Sequence, residues 1–355
     1  MPRTVLATLA CSLFCLVSGK GSAASVTVDN IGLDEGNTTG LLEATSQRYV
    51  DAMRAIISDR YKDEYLAIRW EALETAMTNA SVARVEYRFV QNGETRIRVY
   101  HALGGPPLGA MAQSAFSGPT PAVTPGSPEP PDELEWPDGR PSPAADAVDY
   151  ATTDAEDSAF FSGFGENDLR ARILPPGSSV LEPFEVDGID RALDPEFKVL
   201  RAIEHDLKSD VIPRGGSIRG AVGGATCGSC REAMRALADT YDIDIRLTQM
   251  FGSLPGTQRD ALVAAGTAKL RGRRLVASES GRPLLARDVL ADAREQQVRR
   301  SLNPSSLERS FKGVPWRPRS FRLGPPRQSQ ATESSTWRDP AAPNADATEL
   351  PPPQC

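Results

Sequence analysis

Histidine is scarce in this 355-residue chain, with only His101 and His205 present. That argues against a zinc hydrolase site built from two or three imidazoles. Five cysteines are too few for a disulfide-dense mini-scaffold. Beyond the N-terminus no run of 18 apolar residues occurs, which argues against a membrane span in the mature chain. Basic excess is also missing: the net charge is −7. The whole chain therefore exerts no general pull on nucleic acid, and any such attraction must come from a local patch. There is no Gly-x-Ser-x-Gly elbow, no phosphate-binding loop and no internal repeat. What remains is 40% hydrophobic and 25% charged, a mix that suits a soluble globular core with some excess polarity. The length fits two ordinary domains, or fewer if long linkers are present.

The N-terminus carries Arg3, an apolar run from Val5 to Val17, and small residues at Gly19, Gly21, Ser22, Ala23 and Ala24. This is the layout of a secretory signal peptide over residues 1–24. Removing it takes away Cys11 and Cys15 and leaves Cys227, Cys230 and Cys355. The expected location is therefore secreted. The rival is a wrongly assigned start or a buried segment.

Residues 25–40 read as a polar, Gly-rich lead-in. From Leu41 to Thr78 apolar residues fall at helical spacing, predicting two helices broken near Asp59. Val85, Tyr87 and Phe89 then alternate with polar neighbours. After Asn92-Gly93 so do Ile97, Val99 and His101, which predicts a hairpin with strands at 82–90 and 95–103. Between 104 and 150 there are eleven prolines, and residues 129–157 carry ten acids against Arg140 alone. Such a stretch cannot bury enough apolar surface to offset its ordering entropy. Residues 104–157 therefore read as a disordered, Pro-rich acidic insertion.

Order returns near Phe160. Asp194-Pro195 predicts a helix start, since Asp caps free N–H groups and Pro suits the first helical position. The helix runs to Leu207, followed by a strand at 217–222, a helix at 227–241 and a strand at 243–247. Residues 251–327 hold 16 Lys/Arg against six Asp/Glu, a basic extension with a helix at 285–301. There Phe311, Trp316 and Phe321 stand among Arg317, Arg319 and Arg322, a composition that could stack bases and neutralise phosphates. The plainer expectation is a solvated basic tail or a surface for an acidic partner. Residues 328–355 read as a disordered tail.

Two motifs carry chemistry. Cys227-Gly228-Ser229-Cys230 opens a helix, where two thiolates one turn apart can share a metal or form a redox pair. Asp194-Pro195-Glu196 opens the preceding helix; alone, such a triplet is usually a cap followed by a solvated Glu. In order and spacing the two motifs together resemble the zinc-dependent nucleobase deaminase superfamily, whose signature is H-x-E followed by P-C-x-x-C. The nearer resemblance is to deaminase domains of bacterial polymorphic toxins, through Asp194-Pro195-Glu196-Phe197-Lys198-Val199-Leu200, the upstream hairpin and Ala102-Leu103-Gly104-Gly105. It covers about 42–250. Two positions depart from the signature: Asp194 stands for the His ligand and Thr226 for the Pro before the first Cys.

The resemblance implies an α/β fold, a cytidine-deaminase-like mixed sheet flanked by helices with the hairpin strands first. It implies Zn²⁺ on Asp194, Cys227 and Cys230, with a fourth position for water and Glu196 as the catalytic acid–base. Lys198 and Ser229 would support that site from behind. The implied substrate is a base in nucleic acid or a nucleotide, cytosine ahead of adenine, and the implied setting is a toxin delivered into a target cell, with a cognate immunity protein. Two other readings stay open on the residues alone: a secreted CxxC redox or disulfide protein, and a non-catalytic interaction protein on a deaminase-like core.

Overall fold

The computed structural model describes residues 24–63, 65–116, 160, 168–173, 179–181, 185–186, 189–250 and 254–311. Six strands form one mixed sheet. In spatial order they are β1 (Val26–Asn30), β8 (Asp244–Gln249), β7 (Ser217–Val222), β2 (Val82–Gln91), β3 (Glu94–Leu103) and β4 (Asp168–Arg170). Strands β1, β8 and β7 run parallel, β2 is antiparallel to both β7 and β3, and β4 is parallel to β3. Two small ribbons stand apart: β5 (Glu185–Val186) with β6 (Ile189–Asp190), and β9 (Ala268–Arg271) with β10 (Arg274–Ala277). The β2–β3 turn puts Asn92 at φ 55° and Gly93 at φ 80°, the left-handed pair that a tight type I′ hairpin requires.

Period-2 alternation sends each strand's side chains to two cores. Ala83, Val85 and Tyr87 of β2 and Tyr100 and Ala102 of β3 pack against helices α4 (Pro195–Lys208) and α5 (Gly228–Tyr241). Val82 and Leu103 face the opposite core, built on α1 (Asn37–Arg60), α2 (Trp70–Asn79), α3 (Leu108–Ala115), α7 (Ala286–Ser301) and α8 (Pro304–Phe311). Leu42, Met53, Ile56 and Ile57 of α1 are fully buried there, each worth about 1.5–3 kcal/mol of burial. Helix α6 (Gly256–Ala264) and the β9–β10 ribbon share a small core of Leu254, Ala268, Leu275 and Leu285. The architecture is α/β, with helices on both faces of the mixed sheet. Among the described residues no helix is long and apolar enough to cross a membrane.

Four expectations change. The hairpin strands do not come first: β1, inside the supposed lead-in, forms the sheet edge against β8, and Ser25 bonds Asp244 through both its N–H and its hydroxyl. Residues 104–116 belong to the fold and not to a disordered insertion. Pro106 and Pro107 precede a helix whose Leu108, Met111, Ala112 and Ala115 are buried. The basic extension is integral over 254–311. Buried Arg54 of α1 donates to the carbonyls of Ser301 and Ser306, and buried Arg294 of α7 donates to Ser46 Oγ and the Met77 carbonyl. Finally, Phe311 is not part of a free tail: it is partly buried and packs edge-on against Tyr65 with ring centres 5.2 Å apart. Trp316, Arg317, Arg319, Phe321 and Arg322 lie outside the described residues, as do the signal-peptide stretch to residue 23, most of the acidic insertion and the tail.

Candidate metal centre

The two motif helices meet. Asp194 is the N-cap residue of α4, with extended backbone and Pro195 in the first turn. Its carboxylate makes no capping bond. Oδ2 instead lies 3.7 Å from Cys230 Sγ and 3.7 Å from the Arg191 guanidinium. Cys227 is the N-cap of α5, and its sulfur accepts from the Cys230 N–H at 3.4 Å. The two sulfurs stand 3.2 Å apart. One ligand atom from each of Asp194, Cys227 and Cys230 fits within a mutual 4.8 Å, and both cysteines are buried. This group could hold a metal ion.

Electrostatics favour that use. The two thiols are in hydrogen-bonding contact with each other. That hydrogen bond, with help from Ser229, whose Oγ is 2.9 Å from Cys227 Sγ, and from Arg191, holds Cys227 well below the ordinary thiol range. The same contact and burial push Cys230 up. A metal ion replaces the thiol protons when thiolates bind it. Two thiolates and a carboxylate exceed a divalent charge by one. Arg191 and the exposed N–H groups at two helix starts supply the offset.

Glu196 is the second residue of α4, in its first turn, and only 5% exposed. Burial, followed by the fields of Asp194 and Cys227, pushes its carboxyl up to about 8. It stands beside the cluster without joining the ligand group.

The position of the missing proline has its own solution. Thr226 is fully buried, and its N–H donates to Gln249 Oε1 at 2.7 Å, a bond proline could not make. Gln249 Nε2 in turn donates to Asn30 Oδ1. The CxxC turn is thus fixed from the ends of β8 and β1. Sequence reasoning missed Gln249 and Asn30, which only the fold brings to 226, and it missed Arg191, which stands one turn before Asp194 in the chain but belongs to no motif.

Lys198 acts on the other side of its helix. Its buried ammonium donates to the carbonyls of Leu103 at 2.9 Å and Gly105 at 2.7 Å. It anchors the loop after β3, and Gly105 N–H closes that loop onto Leu193 O. A methyl group at Gly104 would come within 3.1 Å of Pro195, so the Gly-Gly stretch is what lets the loop lie on the Asp194 helix. A pocket of about 20 Å³ opens there between Leu103, Pro107, Arg170, Arg172 and Lys198.

His205 is exposed. His101 sits on the opposite face of the sheet, bonded to Thr45 Oγ1 at 2.9 Å and Asp168 Oδ1 at 2.6 Å, beside Arg48. It is 2% exposed, and burial, opposed by its bond to Asp168, lowers it to about 4. The larger cavity, about 400 Å³, lies away from the cysteines between Glu43, Arg282 and Gln297. Donor chemistry outweighs volume in placing the candidate site, because only the Asp194 group gathers metal-type ligands among the described residues. No family model, curated protein or solved structure matches this chain.

Proposed function

We propose that this chain is a zinc-dependent deaminase, exported by its N-terminal segment, that removes an amino group hydrolytically from a nucleobase, cytosine ahead of adenine. The observation that carries the reading is the convergence of Asp194, Cys227 and Cys230 within 4.8 Å, with buried Glu196 two residues from one ligand. The order of elements supports it: the β2–β3 hairpin is followed by α4, β7, the CxxC helix α5 and parallel β8, with the cysteines just past the C-terminal end of β7.

The residues fit zinc. Bonds of about 2.3 Å to sulfur in a tetrahedral site put two sulfurs about 3.8 Å apart; here they are 3.2 Å apart, and a ligand atom of each of the three residues lies within a mutual 4.8 Å. Asp194, Cys227 and Cys230 would hold the ion. When bound, zinc lowers the pKa of a coordinated water towards neutrality. Glu196 would take one proton from the attacking water and deliver it to the ring nitrogen, then take the second from the newly added hydroxyl and deliver it to the departing amine. Water and the amino-bearing carbon thus become a ring carbonyl and ammonia. Arg191 holds the Asp194 carboxylate, and Gln249 holds the turn that carries Cys227. A toxin role, entry into a target cell and an immunity partner belong to the same proposal through the resemblance.

The test is a deamination screen read by sequencing, with wild type beside Glu196→Ala. Conversion by wild type and none by the variant is expected; equal conversion by both would show that Glu196 is not the proton carrier. A second reading, a dithiol–disulfide protein, is favoured by the close sulfurs and the low-lying Cys227 thiol at a helix start. Alkylation followed by mass spectrometry separates the two, since that reading requires a reducible 227–230 bond and no metal.

A further inference from the structure

We infer that the β9–β10 ribbon is a docking surface for the phosphate backbone of nucleic acid. Lys269, Arg271, Arg273 and Arg274 fall within six positions, and all four are exposed. Arg271 pairs directly across the ribbon with Arg274, and Lys269 lies two residues along on the same face. Like charges directly opposite in a ladder destabilise it. A ribbon selected for stability alone would not place them so. Edge strands do use lysine to block aggregation, but one charge serves that purpose.

Nearby acids leave the excess standing. Asp292 pairs with Arg274 at 3.3 Å and Asp260 with Arg259 at 3.2 Å, both in half-exposed or exposed positions, and Glu279 ends the ribbon. Residues 254–285 hold six Lys/Arg and two Asp/Glu in a chain whose net charge is −7. The positive surface is therefore local, and it sits on a rigid element anchored by Leu275 and Leu285.

A nucleic-acid backbone carries a charge at every nucleotide and releases counterions at each Lys or Arg it meets, so four cations within six positions gain more from it than from the scattered acids of a protein surface. The ribbon has no aromatic side chain, so it would grip the backbone and leave base identity unread. The ribbon follows β8 and α6 in the chain, and Leu290 of the next helix lies so close to Gly223, just past the end of β7, that an added methyl group would sit 3.0 Å from it. Docking needs neither metal nor Glu196; taking the docked polymer as the substrate rests on the deaminase reading.

The test uses the full chain and a labelled single-stranded oligonucleotide, DNA and RNA in turn, with anisotropy read over a salt series. The triple variant Lys269→Ser/Arg271→Ser/Arg273→Ser should bind at least about tenfold more weakly. Losing three contacts at about 0.7 each should flatten the salt slope by about 2. Arg271→Lys/Arg273→Lys should retain binding, which a merely disrupted ribbon would not. Equal affinity and slope in wild type and triple variant would overturn the inference, as would no binding by wild type. Displacement by polyglutamate as readily as by oligonucleotide would also overturn it and assign the surface to an acidic protein. If binding depends on the ribbon but no base is converted, the deaminase reading fails alone. If the triple variant converts polymer as well as wild type does, the docking inference fails alone.

Discussion

Glu196 and Asp194 are two residues apart, yet their side chains do different work because the first turn of α4 aims one at the sulfurs and buries the other beside them. Glu196→Gln keeps the shape and removes the proton carrier. It should cost about 10²–10⁴-fold in deamination rate and leave metal content unchanged. Parallel loss of metal would show a structural role. Two further groups set how stability depends on pH. His101 is lowered to about 4 by burial, so the unfolded chain takes the proton first; its contribution is present above the ordinary value of 6.5 and is lost as pH falls through 4. Asp51 is raised to about 6 by burial. Its contribution is present below 3.8 and is lost as pH rises through 6. The two oppose each other between pH 4 and 6, so separate variants are needed to see either. Asp51→Asn should stabilise the fold at pH 7.5 by about 1–3 kcal/mol and change little near pH 4. Its amide oxygen can still accept from Gln47, as the carboxylate does at 2.8 Å. Denaturant titrations at both pH values check this; no gain at pH 7.5 would contradict the burial argument.

Elements with a local cause were legible from the residues. The β2–β3 hairpin announces itself through Asn92-Gly93, and α4 through Asp194-Pro195, whose backbone does cap the helix. The strand read at 217–222 is β7. Elements held by distant partners were not. β1 is five residues of unremarkable composition, and its place comes from parallel pairing with β8 more than 200 positions away. α3 hid behind the prolines flanking it. In the candidate site Asp194, Cys227 and Cys230 were named through the resemblance, and they do lie together; Arg191, only three residues before Asp194, was within reach of a local reading, while Gln249 was not, since nothing local ties it to the motifs. Close approach between elements also escapes the eye. A methyl group at Gly220 would meet Arg84 O at 2.4 Å and Val85 Cα at 2.7 Å. Gly220→Ala should therefore force β7 away from β2 and cost about 1–3 kcal/mol, lowering the thermal midpoint. An unchanged midpoint would mean that the sheet yields more easily than the packing implies.

At the scale of the molecule, the sheet divides labour between its faces. One face positions the candidate metal centre through α4 and α5. The other is a structural core that the C-terminal helices complete, with Arg54 and Arg294 tying them to α1 and α2. Truncation before residue 286 should remove Arg294 together with the Ser301 and Ser306 partners of Arg54, and abolish a cooperative melt by circular dichroism. A truncated chain that melts like the full one would show that α7 and α8 are dispensable. The central claim is that one carboxylate and two thiolates, brought from two helix starts, hold a single ion. Native mass spectrometry of the full chain tests it most directly. The account predicts one zinc per wild-type chain, lost in Cys227→Ser and weakened in Asp194→Ala. A metal-free chain about 2 Da light, carrying a 227–230 disulfide, would contradict it.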